Sequence, residues 1–218
     1  MSYLTQSDAK NAIGRLCKFH TELGELFTRY DMVLESNPGR RNVILSQAQE
    51  EFFAKELSTR YSDVVADGKT GKPDIMIGEI GVELECKLTS PLAGGAVNLQ
   101  ADEFSVTEDK PKDFLYVVNR GMQEFAVLHF IGLVKSDFIA PNSVRSKGKM
   151  RLSKHKAFAK CNVLIGSIEN RSEKMLQAAE EKLLNTSQRA KKSRLKLENT
   201  IKFWKESDNQ VSVKLVPI

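Results

Sequence analysis

Residues 82–88 read Val-Glu-Leu-Glu-Cys-Lys-Leu, an alternation that only an extended strand sorts into two coherent faces. Val82, Leu84, Cys86 and Leu88 fall on one face, and Glu83, Glu85 and Lys87 on the other. Upstream, Pro73-Asp74-Ile75-Met76-Ile77 is a second short apolar run, separated from the first by Gly78-Glu79-Ile80-Gly81. Glycines at both ends of that spacer predict a tight turn, so the segment reads as a β-hairpin. Residues 114–118, 126–134 and 163–165 are continuously apolar, the character of strands buried on both faces. Burial of both faces implies helices packed against the sheet.

Helical spacing occurs at both ends of the chain. Ser7 or Asp8 caps a first helix whose stripe runs through Ala12, Ile13, Leu16, Phe19, Leu23, Leu26, Phe27, Tyr30 and Val33. It is expected to stop by Asn37-Pro38-Gly39. A second helix is expected from about Ser46 to about Thr59, with Phe53 and Leu57 on one face and Glu50 sharing it. From about Ser172 a further stripe includes Leu176, Ala179, Leu183, Ala190, Leu197, Ile201 and Trp204, and residues 211–216 suit a closing strand. The expected architecture is a single α/β domain with a mixed central sheet flanked by helices. It comprises a helical part over 1–60, a sheet core over 61–135, and a basic, partly helical region over 136–218.

Cys17, Cys86 and Cys161 are odd in number and widely spaced, which suits a reducing, cytoplasmic setting rather than a disulfide framework. The longest apolar run, residues 125–134, contains His129 and is too short to span a bilayer, so no membrane partner is expected. His20, His129 and His155 share no metal-ligand spacing and are read as structural.

The charged face of the second hairpin strand carries the chemistry. Pairing across the turn brings Asp74 close to Glu85, and two neighbouring carboxylates repel unless a cation lies between them. Oxygen donors of this kind suit Mg²⁺, which keeps several waters and takes one or two protein carboxylates. Lys87, two residues beyond Glu85 on the same face, can direct its ammonium toward an attacking water and a phosphate. Glu83 with Glu85 is an alternative acidic pair, but Glu85 with Lys87 retains the lysine. The same charges also suit a solvated strand face, where exposed pairs are worth under ~1 kcal/mol.

Pro73-Asp74, ten residues, then Glu85-Cys86-Lys87 resembles the signature of the PD-(D/E)xK nuclease superfamily, which includes type II restriction endonucleases, junction resolvases and repair nucleases. The resemblance strictly covers residues 73–87 and extends to the preceding helix, where Glu50, with Glu51 as fallback, matches an upstream glutamate. It implies a restriction-endonuclease-like fold, catalysis by Asp74, Glu85, Lys87 and Glu50, and Mg²⁺ held by Asp74, Glu85 and the Cys86 main-chain carbonyl. It also implies hydrolysis leaving 5′-phosphate and 3′-hydroxyl ends.

Charge distribution points to the same class of partner. Residues 135–205 hold 18 basic and 6 acidic side chains, a local +12 that leaves −7 elsewhere in a chain of formal charge +5. Arg145, Lys147, Lys149, Arg151, Lys154, Lys156 and Lys160 lie between residues 144 and 160 with no acid among them, as in a loop that follows a phosphate backbone. Asn98 and Gln100, in the long 90–112 connection, join Arg145, Lys147, Lys149, Arg151, Lys154 and Lys156 as candidate DNA contacts. The expected function is a Mg²⁺-dependent type II endonuclease acting on double-stranded DNA as a homodimer. A resolvase or repair nuclease of the superfamily, and a non-catalytic DNA-binding protein, are the rivals.

Overall fold

Thr5 begins the first helix. Its hydroxyl accepts the Asp8 N–H at 3.2 Å while the Asp8 carboxylate accepts the Thr5 N–H at 2.7 Å, a reciprocal capping box. The computed structural model describes residues 2–69, 72–92, 97–140, 148–153, 156–170, 180–181, 191–206 and 211–218. Helix α1 (Gln6–Arg29) ends well before Asn37, and Asp31 beyond it takes a left-handed φ of 56°. Helix α2 (Pro38–Leu57) starts earlier than expected. The Asn-Pro-Gly read as a stop is a start: the Asn37 side chain accepts the Arg40 N–H at 3.0 Å, and Pro38 occupies the first turn, where no intrahelical N–H bond is lost.

The remaining elements are β1 (Val64–Ala66), β2 (Ile75–Ile77), β3 (Val82–Thr89), β4 (Gln100–Asp102), β5 (Lys112–Arg120), β6 (Glu124–Leu133), β7 (Phe138–Ile139), β8 (Lys149–Leu152), β9 (Cys161–Ile165), β10 (Ser167–Asn170), α3 (Lys191–Glu206), β11 (Val211–Lys214) and β12 (Val216–Pro217). The central sheet runs β1-β2-β3-β5-β6, with β9 and β12 both on β6. Among the described residues of this sheet β3 and β5 pair in parallel and the other pairs are antiparallel, which makes the sheet mixed. The chain is thus α/β. Separate small sheets join β10 with β11, and β4 with β8 and β7.

Alternation along β5 and β6 divides the core. Leu115, Val117, Phe125 and Val127 pack with Leu84, Cys86 and the α1 and α2 residues Ile13, Leu16, Leu45 and Phe53. Phe114, Tyr116, Ala126, Leu128 and Phe130 pack on the opposite side with Leu99, Ala101, Phe138, Met150 and Leu152. Each fully buried side chain of this size contributes roughly 1.5–3 kcal/mol. Helices were expected on both faces. Among the described residues the second face is covered instead by the 97–106 connection and the small sheet, because Met150 and Leu152 alternate with Lys149 and Arg151 along β8. Part of the basic stretch read as a loop is therefore a strand. The expected helical stripe over 172–190 lies outside the described residues apart from 180–181, and α3 occupies the end of it.

Two histidines fasten the N-terminal elements. His129, fully buried on β6, lies 3.0 Å from the Tyr3 hydroxyl through Nε2 and 3.1 Å from Ser2 Oγ through Nδ1. His20 on α1 lies 2.6 Å from Glu35 Oε1. No helix among the described residues is long and apolar enough to cross a membrane.

Candidate active site

Register decides what faces what in the hairpin. Ile75 pairs with Leu84, Met76 with Glu83 and Ile77 with Val82, so one further step sets Asp74 opposite Glu85. The turn is a short 3₁₀ segment, Gly78–Ile80, closed by Gly81 at φ 63°, a left-handed conformation that glycine adopts without Cβ strain. Asp74 Oδ2 accepts the backbone N–H of Cys86 at 2.7 Å and the Lys87 ammonium at 3.3 Å. The same ammonium donates to Glu85 Oε2 at 3.2 Å. Burial opposes the Lys87 charge, but Asp74 and then Glu85 outweigh it and hold the pKa above the ordinary lysine value.

Glu85 is 7% exposed and is held from a second side. Lys112 on β5 lies 3.6 Å from Glu85 Oε1 and 3.6 Å from Glu83 Oε2, and Lys110 donates to Glu83 Oε1 at 2.5 Å. Glu83 therefore belongs to the Lys110 and Lys112 pairs, whose charges hold its carboxyl below the usual range, and Glu85 is the acid shared with Asp74 through Lys87. Cys86 turns its side chain into the core beneath α2, and burial pushes its thiol well up.

Helix α2 delivers the third carboxylate. Glu50 lines the same cleft as Asp74 and Lys87, whereas Glu51 is exposed. Burial and then the Asp74 charge push the Glu50 carboxyl up to about 7, against the opposing pull of Lys87. Gly68 backs it so closely that a Cβ there would sit 3.0 Å from Glu50 Oε2. The cleft encloses about 550 Å³. It is lined by Asn42, Ser46 and Glu50 from α2, by the end of β3, and by Asp102 and Lys149.

These residues fit Mg²⁺. Asp74 and Glu85 are hard oxygen donors with a cation, Lys87 Nζ, already between them. Among the described residues no three His, Cys, Asp or Glu side chains converge as a cage.

The proposed DNA contacts are spread more widely. Lys149 lines the cleft, opposite Asp102 in the β4–β8 register, and pairs with it at 2.5 Å. Arg151 is exposed opposite Gln100, whose backbone carbonyl accepts the Tyr116 hydroxyl at 3.0 Å. Asn98 is half-buried, and its Oδ1 has no partner among the described residues. Lys156 is exposed, and Arg145, Lys147 and Lys154 lie outside the described residues.

Sequence reasoning missed Asn42, Ser46, Asp102 and Lys112. The first two stand at four-residue intervals before Glu50 and share its helix face, a signal hidden by starting the helix at Ser46. Lys112 could be placed only by knowing that β5 runs parallel beside β3. Comparison with protein-family models and with curated proteins finds no match.

Proposed function

We propose that this chain is a Mg²⁺-dependent endonuclease with a restriction-endonuclease-like fold, cutting double-stranded DNA to leave 5′-phosphate and 3′-hydroxyl ends, and acting as a homodimer of the type II restriction class. The observation that carries the reading is the Lys87 ammonium lying 3.3 Å from Asp74 and 3.2 Å from Glu85, with Glu50 in the same cleft. Two paired carboxylates and a lysine on a solvated strand need no third, half-buried acid beside them; a site for phosphodiester hydrolysis uses all four.

Asp74, Glu85 and the Cys86 carbonyl would hold the ion, which supplies Lewis acidity and a water of lowered pKa. The protein does the rest. The Cys86 N–H fixes the Asp74 carboxylate, and Lys112 fixes the far oxygen of Glu85. Lys87 orients the attacking water and stabilises the charge gathering on the phosphate. Glu50, with a pKa near neutrality, accepts a proton from that water or restrains Lys87. Lys149, Arg151 and Lys156 position the strand by its phosphates.

The test is plasmid DNA incubated with Mg²⁺ or with EDTA, comparing the wild type with Asp74→Ala and Lys87→Ala. Discrete bands that need Mg²⁺ and vanish in both variants are expected. DNA left intact under all metal conditions while gel shifts persist would leave a non-catalytic DNA-binding protein. Preference for four-way junctions over linear duplex would indicate a resolvase.

A further inference from the structure

Arg41 is only 2% exposed, and a guanidinium so buried is tolerated only when acceptors surround it. Nη1 donates to Glu35 Oε2 at 2.6 Å, and Nη2 donates to Asn119 Oδ1 at 2.7 Å. Asn42 Oδ1 accepts from Nε at 3.3 Å and from the second Nη2 hydrogen at 3.0 Å, so Ser90 Oγ, 3.5 Å from Nη2, is at most a shared, long contact. Four elements thus meet at one cation: the turn before α2, α2 itself, the end of β3, and β5.

Donor and acceptor counting then fixes two orientations. A guanidinium has donors only, so the Asn42 amide must turn its oxygen toward Arg41 and its nitrogen away. Asn42 Nδ2 accordingly donates one hydrogen to Ser90 Oγ at 3.2 Å and keeps a second. Ser90 Oγ accepts from Asn42 Nδ2, and its other near neighbour, Arg41 Nη2, is a donor only, so its own proton has no acceptor among the described residues. Asn42 and Ser90 both line the cleft that holds Asp74, Lys87 and Lys149. The lysines of this cleft are matched by Asp74, Glu85 and Asp102, so what the pair adds is two spare donors side by side, able to meet at one acceptor oxygen.

We propose that Asn42 and Ser90 form a subsite for a non-bridging phosphate oxygen of the bound nucleic-acid strand, with Arg41 as the positioning residue that aims them. Identification of the ligand as a strand rests on the nuclease reading; the match of two donors to one acceptor oxygen does not. Arg41 touches no substrate, and its influence passes through the amide and the hydroxyl.

The subsite is tested by following the Asn42 side-chain amide resonances while metal-free protein is titrated with the dinucleotide pTpT or with inorganic phosphate, alongside steady-state plasmid cleavage in Mg²⁺. A saturable shift with pTpT is expected, weakened about tenfold in Ser90→Ala, as loss of one hydrogen bond to a charged group requires. In cleavage, Ser90→Ala raises KM by a similar factor and leaves kcat within about twofold, since that hydroxyl holds phosphate away from the reacting atoms. Arg41→Lys, which keeps the charge but loses the fork, reproduces the KM effect with Asn42 and Ser90 intact, and thermal melting verifies that it is folded. An unshifted amide, or an unchanged KM in Ser90→Ala, overturns the subsite; equal affinity for inorganic phosphate and pTpT overturns its assignment to a strand. Saturable pTpT binding without plasmid cleavage supports the subsite and removes the nuclease reading, whereas cleavage with an unchanged Ser90→Ala KM does the reverse.

Discussion

Glu50 is half-buried beside charged Asp74 and Lys87. Its carboxyl is pushed up to about 7, first by burial and then by Asp74. A folded-state pKa above the unfolded value means that the fold binds the proton more tightly. The contribution to stability is therefore full below about pH 4.5 and is lost as pH rises through about 7. Glu50→Gln removes that loss. Allowing for solvent screening, the variant should gain about 1–2 kcal/mol in EDTA at pH 8, a few °C in Tm, and clearly less at pH 5. Thermal melts of both proteins at the two pH values check this, and an equal difference at both would sink the idea. Under the proposed function, added Mg²⁺ at pH 8 should shrink the gap, because it offsets the charge that the wild type carries.

At the scale of elements, α2 lines the cleft with Asn42, Ser46 and Glu50. Its start depends on Asn37, whose side chain accepts the Arg40 N–H. Asn37→Ala should cost about 1 kcal/mol, read as a lower urea midpoint with an unchanged m-value. A change below a few tenths would mean that tertiary packing alone holds this end. The same residues explain what was legible. Asn-Pro-Gly is written alike for a stop and a start, because proline both ends a preceding helix and suits a first turn. The hairpin was legible because alternation over β3 and two flanking glycines are local signals; Asp74 opposite Glu85 followed from them. Lys112 beside Glu85 was not legible, since the parallel pairing of β3 and β5 spans the long 90–111 connection. Nor was the small sheet that covers the second face among the described residues, although Met150 and Leu152 carried its alternation in a stretch dominated by charge.

Across the whole molecule, a formal charge of +5 conceals two opposed fields: +12 over residues 135–205 and −7 over the rest, which includes Asp74, Glu83 and Glu85. The carboxylates are largely neutralised by lysines of their own neighbourhood, namely Lys87, Lys110 and Lys112. Arg151 and Lys156 are exposed and make no ion pair with any described residue, whereas Lys149 is matched by Asp102. Under the proposed function, binding of labelled duplex in Ca²⁺ should therefore fall linearly in log–log form with salt, and each phosphate-neutralising side chain should add about 0.9 to the slope. The Arg151→Ala, Lys156→Ala double variant should lower the slope by about 1.8, weaken binding alike for different sequences, and leave kcat at saturating DNA unchanged. Lys149→Ala should change the slope by less, because its charge is already spent on Asp102. A double variant with the wild-type slope would mean that these two side chains are solvated ornaments of β8 and the segment after it, and that the duplex is held elsewhere.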